Sequence, residues 1–179
     1  MNQQSGCAVL QESKSRQSDL SALFSPRAIA VVGATDEISR AGGRALAVLK
    51  MVGYEGAIYP VNPRRPSLQG FKAYPSVEEL PAPADLAIIC LAPGRVPAAI
   101  RQCGESGIRA AVVFADGFVA RLREELSEAV AVAQRASGLR LLGPNTIGFR
   151  SVEAKVYGTF AGDIELGTLL GSTAFRVNA

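Results

Sequence analysis

The chain has 179 residues, 48% hydrophobic, 20% charged and 6% aromatic, with a formal net charge of +3 and no histidine. A chain of this length buries a sizeable core without a disulfide or metal staple, and its scattered basic residues argue against a nucleic-acid interface, which gathers Lys and Arg on one face among aromatics. Without histidine these residues cannot supply a Ser-His or Cys-His nucleophile pair, an imidazole metal site or a phosphohistidine.

Residues 1–17, rich in Gln, Ser and Lys with little apolar periodicity, read as a disordered tail. Ser18 or Asp19 then caps a short helix with Leu20, Leu23 and Phe24 on one face. Five apolar runs follow, at 28–32, 57–61, 86–91, 110–114 and 140–142. They lack strict alternation, the pattern of strands covered on both faces of a parallel sheet. Between them Leu46, Leu49 and Val52 are spaced for a helix face, as are Val96, Ile100 and Cys103, and Val119, Leu122, Leu126, Val130 and Ala133. The stretch from Val77 to Leu80 gives at most one helical turn. Alternating strand and helix predicts a right-handed, doubly wound parallel α/β sheet over 18–150, with 151–179 as a C-terminal extension. Cys7, Cys90 and Cys103 form no CxxC pair, which suggests neither a disulfide framework nor a zinc site and fits a reduced, cytoplasmic setting. No run is long enough to span a bilayer, and the first residues lack the apolar stretch of a signal peptide.

Ligands of such sheets bind outside the carboxyl ends of the strands, so those ends carry the chemistry. The first strand runs into VVGATDEISRAGG at 31–43. There Gly33 permits a tight turn, Thr35 adds a hydroxyl, Ser39 and Arg40 add donors, and the next helix offers its N-terminus to a phosphate. The loop departs from GxGxxG, having Thr35 and Ile38 where glycines would stand. The second strand ends in YPVNPRRPS at 59–67. An NAD site would place an acid here, whereas Arg64 and Arg65 suit a ribose phosphate, as in NADP or coenzyme A, or else form a solvated loop. After the third strand Ala92 and Pro93 let a ligand lie close, and Arg95 near a helix N-terminus is misplaced unless it meets an anion. Asp116 before Gly117 either accepts from a ligand or caps the helix beginning near Val119, with the cap favoured. In LLGPNTIGF at 141–149, Gly143, Pro144 and Gly148 shape a turn that presents Asn145 and Thr146.

Together VVGATD, IYPVNP and LGPNTIG, with SALFSPRAIAVVGA before them and YPSVEELP between, resemble the N-terminal domain of nucleoside-diphosphate-forming acyl-CoA synthetases over residues 18–160. The α subunit of succinyl-CoA synthetase is a more distant relative. The resemblance implies a Rossmann-like, single CoA-binding domain. It implies coenzyme A phosphates at Gly33, Ala34 and Thr35, where the donor of Arg40 would also serve, and the adenosine flanked by Val61, Asn62, Pro63 and Arg64. It further implies a path to the thiol along Ala92, Pro93, Asp116 and Gly117, with Asn145 near the reacting end. No catalytic residue is expected. The family reaction runs through a phosphohistidine and a nucleotide-grasping (ATP-grasp) domain, so a partner chain would have to supply both. GTLLGSTAF at 167–175 looks like the start of the family's second domain, broken off after one strand.

The leading expectation is therefore a module that binds coenzyme A or a short acyl-CoA, either a stand-alone protein or a shortened gene product, with neither nucleic acid nor membrane as partner. An NAD(P)-binding oxidoreductase or redox sensor on the same sheet is the alternative, weakened by the missing third glycine and the lack of a Tyr-xxx-Lys pair. A degenerate assembly fragment that forms a homo-oligomer is the third reading.

Overall fold

The computed structural model describes residues 20–159. In chain order these form α1 (Ser21–Phe24), β1 (Ala28–Val32), α2 (Ala41–Met51), β2 (Ala57–Val61), β3 (Ser67–Leu68), β4 (Phe71–Lys72) and β5 (Leu86–Ile89). A short 3-10 turn, Pro93–Arg95, leads into α3 (Val96–Glu105), and β6 (Ala110–Val113), α4 (Ala120–Ser137), β7 (Arg140–Leu142), β8 (Gly148–Ser151) and β9 (Val156–Thr159) complete the fold. Five strands make a parallel sheet in the order β2-β1-β5-β6-β7. The chain thus switches direction across the sheet between β1 and β5, which opens a crevice at their carboxyl ends.

The apolar runs become strands because both faces of the sheet are covered. Every residue of β1, β5 and β6 is buried. Alternation along the strands sends Ala30, Val32, Ala87, Ile89, Ala111 and Val113 to one core, with Ile100 and Cys103 of α3 and Leu126, Ala129 and Ala133 of α4. Ile29, Val31, Leu86, Ile88 and Val112 enter the other, with Leu46 and Leu49 of α2. The third strand ends at Ile89 rather than at Leu91: Cys90 N–H still donates to Val32 O at 2.8 Å, and the chain then turns toward Pro93. α4 stops at Gly138, which takes the left-handed conformation at φ +72°.

The helices α3 and α4 touch through small residues. A Cβ on Gly104 would lie 2.5 Å from Ala133 Cα and 2.6 Å from Ala133 Cβ. Gly104→Val is therefore expected to lower unfolding stability by about 3 kcal/mol in urea titration, because backbone must separate to admit the branched side chain.

Two hairpins were not foreseen. In β3–β4, Gln69 and Gly70 take φ +49° and +89°, positive at both turn positions as a two-residue hairpin requires. In β8–β9 the strands pair from Gly148 to Thr159, on either side of residue 150. Val156 of β9 is fully buried in the cluster that holds Leu46 and Leu49. The pairing was hard to read because glycines occupy both strands and leave few apolar positions to show a period. The expected tail at 1–17, the Ser18 or Asp19 cap and the strand within 167–175 lie outside the described residues.

At the amino edge of the sheet, Asp85 ties three strands. Its carboxylate accepts from Arg27 N–H at 2.8 Å and from the Arg109 guanidinium at 3.2 Å. Its own N–H donates to Ala28 O at 3.0 Å, while its carbonyl accepts from Ala110 N–H at 3.0 Å.

Candidate functional site

The opposite, carboxyl edge holds a groove of about 710 Å³ at the point where the strand order reverses. Its floor is the exit of β1. Gly33 turns there at φ +84°, and a Cβ on it would lie 2.6 Å from Cys90 O, so only glycine fits between β1 and β5. The N–H groups of Gly33 and Ala34 donate to Val61 O at 3.1 and 3.3 Å, which locks the turn to the end of β2.

Asn62 holds the same two loops together. Its Nδ2 donates to Ala34 O at 2.8 Å, its Oδ1 accepts from Arg64 N–H at 2.8 Å, and its own N–H donates to Tyr74 O at 2.8 Å. The Asn62-Pro63-Arg64 turn is thus rigid before any ligand arrives. Across the loop Thr35 Oγ1 accepts from Glu37 N–H at 3.3 Å. α2 then begins at Ala41 with no acid in its first turn, so its positive end faces the groove uncompensated. Gly42 presses on Gly33: a Cβ on Gly42 would overlap Gly33 O and lie 3.0 Å from Gly33 C.

Three arginines, Arg40, Arg64 and Arg95, line the groove, and no Asp or Glu among the described residues does. Arg40 Nε donates to Glu37 Oε2 at 2.6 Å, an exposed pair at the rim. Cys90 also contributes, but burial pushes its thiol up to about 12, so it is a neutral wall atom rather than a nucleophile at neutral pH.

Gly33, Ala34, Thr35, Arg40, Val61, Asn62, Pro63 and Arg64 all line this groove. Asp116, Gly117 and Asn145 instead meet at a second hollow of about 350 Å³, between the ends of β6 and β7 and the start of α4. Asn145 is fixed there by its N–H to Ala115 O at 2.9 Å. Asp116 does not cap α4, whose N-cap is Val119 with no side-chain bond. Ala92 and Pro93 line neither hollow, because the 3-10 turn hands the wall to Gly94 and Arg95.

Sequence reasoning passed over Pro75, Ser76 and Val77 as one wall, and Ala98, Ala99 and Gln102 as the other. The second wall had a signal: positions 95, 98, 99 and 102 form a helical stripe beside the buried stripe of Val96, Ile100 and Cys103. The first had none in the residues themselves, since it depends on the bridge that brings Tyr74 alongside Val61.

A glycine turn feeding a helix N-terminus at the switch point, with three arginines in the groove lining, defines a Rossmann-like α/β domain. Comparison with known families narrows this further. Residues 27–151 match the CoA binding domain family, and the chain belongs to that family. It is 38% identical over 141 residues to the α subunit of the ADP-forming acetate–CoA ligase II of Pyrococcus furiosus, covering 76% of this chain and 30% of that protein. It is 34% identical over 145 residues to the ADP-forming acetate–CoA ligase II of Archaeoglobus fulgidus, covering 80% of this chain and 22% of that one. Among solved structures, acetyl-coenzyme A synthetase 1 of Ca. Korarchaeum cryptofilum in its apo form superposes with a TM-score of 0.74 at 38% identity, covering 80% of this chain and 31% of that chain. The chain therefore spans about a third or less of these relatives and matches the N-terminal part of nucleoside-diphosphate-forming acyl-CoA synthetases.

Proposed function

We propose that this chain binds coenzyme A, or a short acyl-CoA, along the carboxyl edge of its sheet. The observation that carries the reading is the convergence of Arg40, Arg64, Arg95 and the α2 N-terminus on one groove without a lining carboxylate. A ligand with a diphosphate and a ribose phosphate suits that charge pattern. The diphosphate lies at Gly33, Ala34 and Thr35 with Arg40 alongside, the ribose phosphate at Arg64, and the adenosine beside Val61, Asn62 and Pro63. The pantetheine arm runs past Gly94 and Arg95, which take the place expected for Ala92 and Pro93, toward the second hollow, where Asp116, Gly117 and Asn145 receive the thiol end.

Acyl transfer through a phosphohistidine needs residues beyond these 179, which contain no histidine. A partner that brings the phosphohistidine and the nucleotide-grasping domain would complete an acid–thiol ligase, as the α-subunit naming of one relative suggests. A reducing, cytoplasmic setting accords with the free thiols of Cys90 and Cys103. No helix among the described residues is long and apolar enough to cross a membrane.

Thermal shift with coenzyme A, 3′-dephospho-CoA and NADP tests the reading. Coenzyme A at a hundredfold excess over its dissociation constant should stabilise the fold by about 2.7 kcal/mol. Arg64→Ala should weaken coenzyme A about tenfold and leave 3′-dephospho-CoA unchanged, as one charge-assisted contact is lost. A shift with NADP alone would move the groove to the dinucleotide class and overturn the proposal.

A further inference from the structure

Gln69 lies outside the groove lining, at the tip of the β3–β4 hairpin, yet it grips both the loop between β1 and α2 and the first turn of α2. Its side-chain Nε2 donates to Thr35 O at 3.2 Å and to Gly43 O at 2.9 Å. Its backbone N–H donates to Asp36 Oδ1 at 2.9 Å, and its carbonyl accepts from Lys50 Nζ at 3.0 Å, which anchors the tip to α2. A carboxamide NH2 has two donors, so one glutamine can serve both carbonyls at once.

The consequence follows from peptide geometry. In a trans peptide the C=O and the next N–H point in opposite directions. Holding Thr35 O therefore sets the direction of the Asp36 N–H, and the Asn62 bond to Ala34 O does the same for the Thr35 N–H. Two side-chain amides from the segment after β2 fix two consecutive peptides of the loop that leaves Gly33. The third contact holds Gly43, in the first turn of α2, against that loop. A ligand in the groove then meets a loop whose backbone is already held, without the entropy cost of ordering it.

We infer that Gln69 is a positioning residue for the anion-facing turn, setting affinity for the ligand's diphosphate through the backbone of Thr35 and Gly43. The inference rests on the coenzyme A reading and adds a residue to it. Calorimetric titration of the native protein, Gln69→Leu and Gln69→Glu tests it, with coenzyme A, 3′-dephospho-CoA and adenosine 3′-phosphate as ligands. Neither variant can donate to the two carbonyls, and Gln69→Glu keeps the side chain's size where Leu disturbs folding. Both should weaken coenzyme A and 3′-dephospho-CoA about tenfold, the worth of two neutral hydrogen bonds. Both should leave adenosine 3′-phosphate, which lacks the diphosphate, unchanged, and should speed hydrogen exchange at 34–43 but not in β5 or β6. Equal weakening of all three ligands would mark a merely structural role, and native-like titrations would show no role; either overturns the inference. Native protein that ignores coenzyme A would sink the underlying reading as well, and is told apart because no variant enters that comparison.

Discussion

Gly42→Ala is expected to weaken coenzyme A binding roughly a hundredfold or more, by withdrawing the helix N-terminus on which an anion depends. On helix propensity alone the change should help, by about 1 kcal/mol. Sterics decide otherwise. The new Cβ would overlap Gly33 O and lie 3.2 Å from Ala34 Cα, and both neighbours are backbone. Gly33 cannot retreat, since its N–H is bonded to Val61 O and there is no room for even a Cβ between it and Cys90 O. The start of α2 must move instead, which opens the anion site and costs about 1–3 kcal/mol of stability. Gly94→Ala is the steric control, because a Cβ there meets nothing within 4 Å, and its stability should stay within about 0.5 kcal/mol of native. Titration and melting of the two variants check this. A Gly42→Ala protein that binds coenzyme A as native does would mean the phosphates sit elsewhere.

The second large effect lies at the other end of the sheet. Asp85→Asn is expected to cost about 2 kcal/mol at neutral pH, the order of a charge-assisted hydrogen bond lost from a site only 12% exposed. Burial would raise the Asp85 pKa, but the hydrogen bonds from Arg27 N–H and the Arg109 guanidinium, with the Arg27 charge, outweigh it and hold the group below the usual carboxylate range. The folded value is thus lower than the unfolded one, which is about 3.9. The stabilisation is therefore complete above the unfolded value and is lost as pH falls through the folded one. Urea unfolding from pH 7 downward should show the gap between native and Asp85→Asn closing below about pH 4. A gap independent of pH would mean that the carboxylate charge contributes nothing. Coenzyme A affinity should not change at neutral pH, since Asp85 stands at the edge remote from the groove.

Much of the fold was legible in the residues. Runs such as Ala28–Val32 are so apolar that only burial on both faces accommodates them, and the helix stripes at 3.6-residue spacing follow from one-sided packing. The turn at Gly33 was equally legible, because a glycine closing an apolar strand and opening a helix has few other uses. The cap at Asp116 failed because α4 begins later, at Ala120, beyond the reach its sequence distance suggested. The β8–β9 hairpin escaped the sequence because its pairing, though local, has a glycine in each short strand and so a weak pattern, and Val156 is placed only by packing with Leu46 and Leu49 of α2.

The sequence by itself determined the doubly wound class, the limits of the five parallel strands to within a residue or two and the glycine turn at the end of the first, since hydrophobic period and glycine sterics are local properties. It also shows that these 179 residues contain no histidine. Only the tertiary structure decided that Asn62 and Gln69 spend their amides on the β1–α2 loop, that Pro75–Val77 and the Arg95–Gln102 stripe close the two walls, and that Asp116 and Asn145 belong to a separate hollow. Those relations join residues far apart in the chain through single hydrogen bonds or contacts, which leave no periodicity behind and exist only once the β2–β1–β5 crevice has formed.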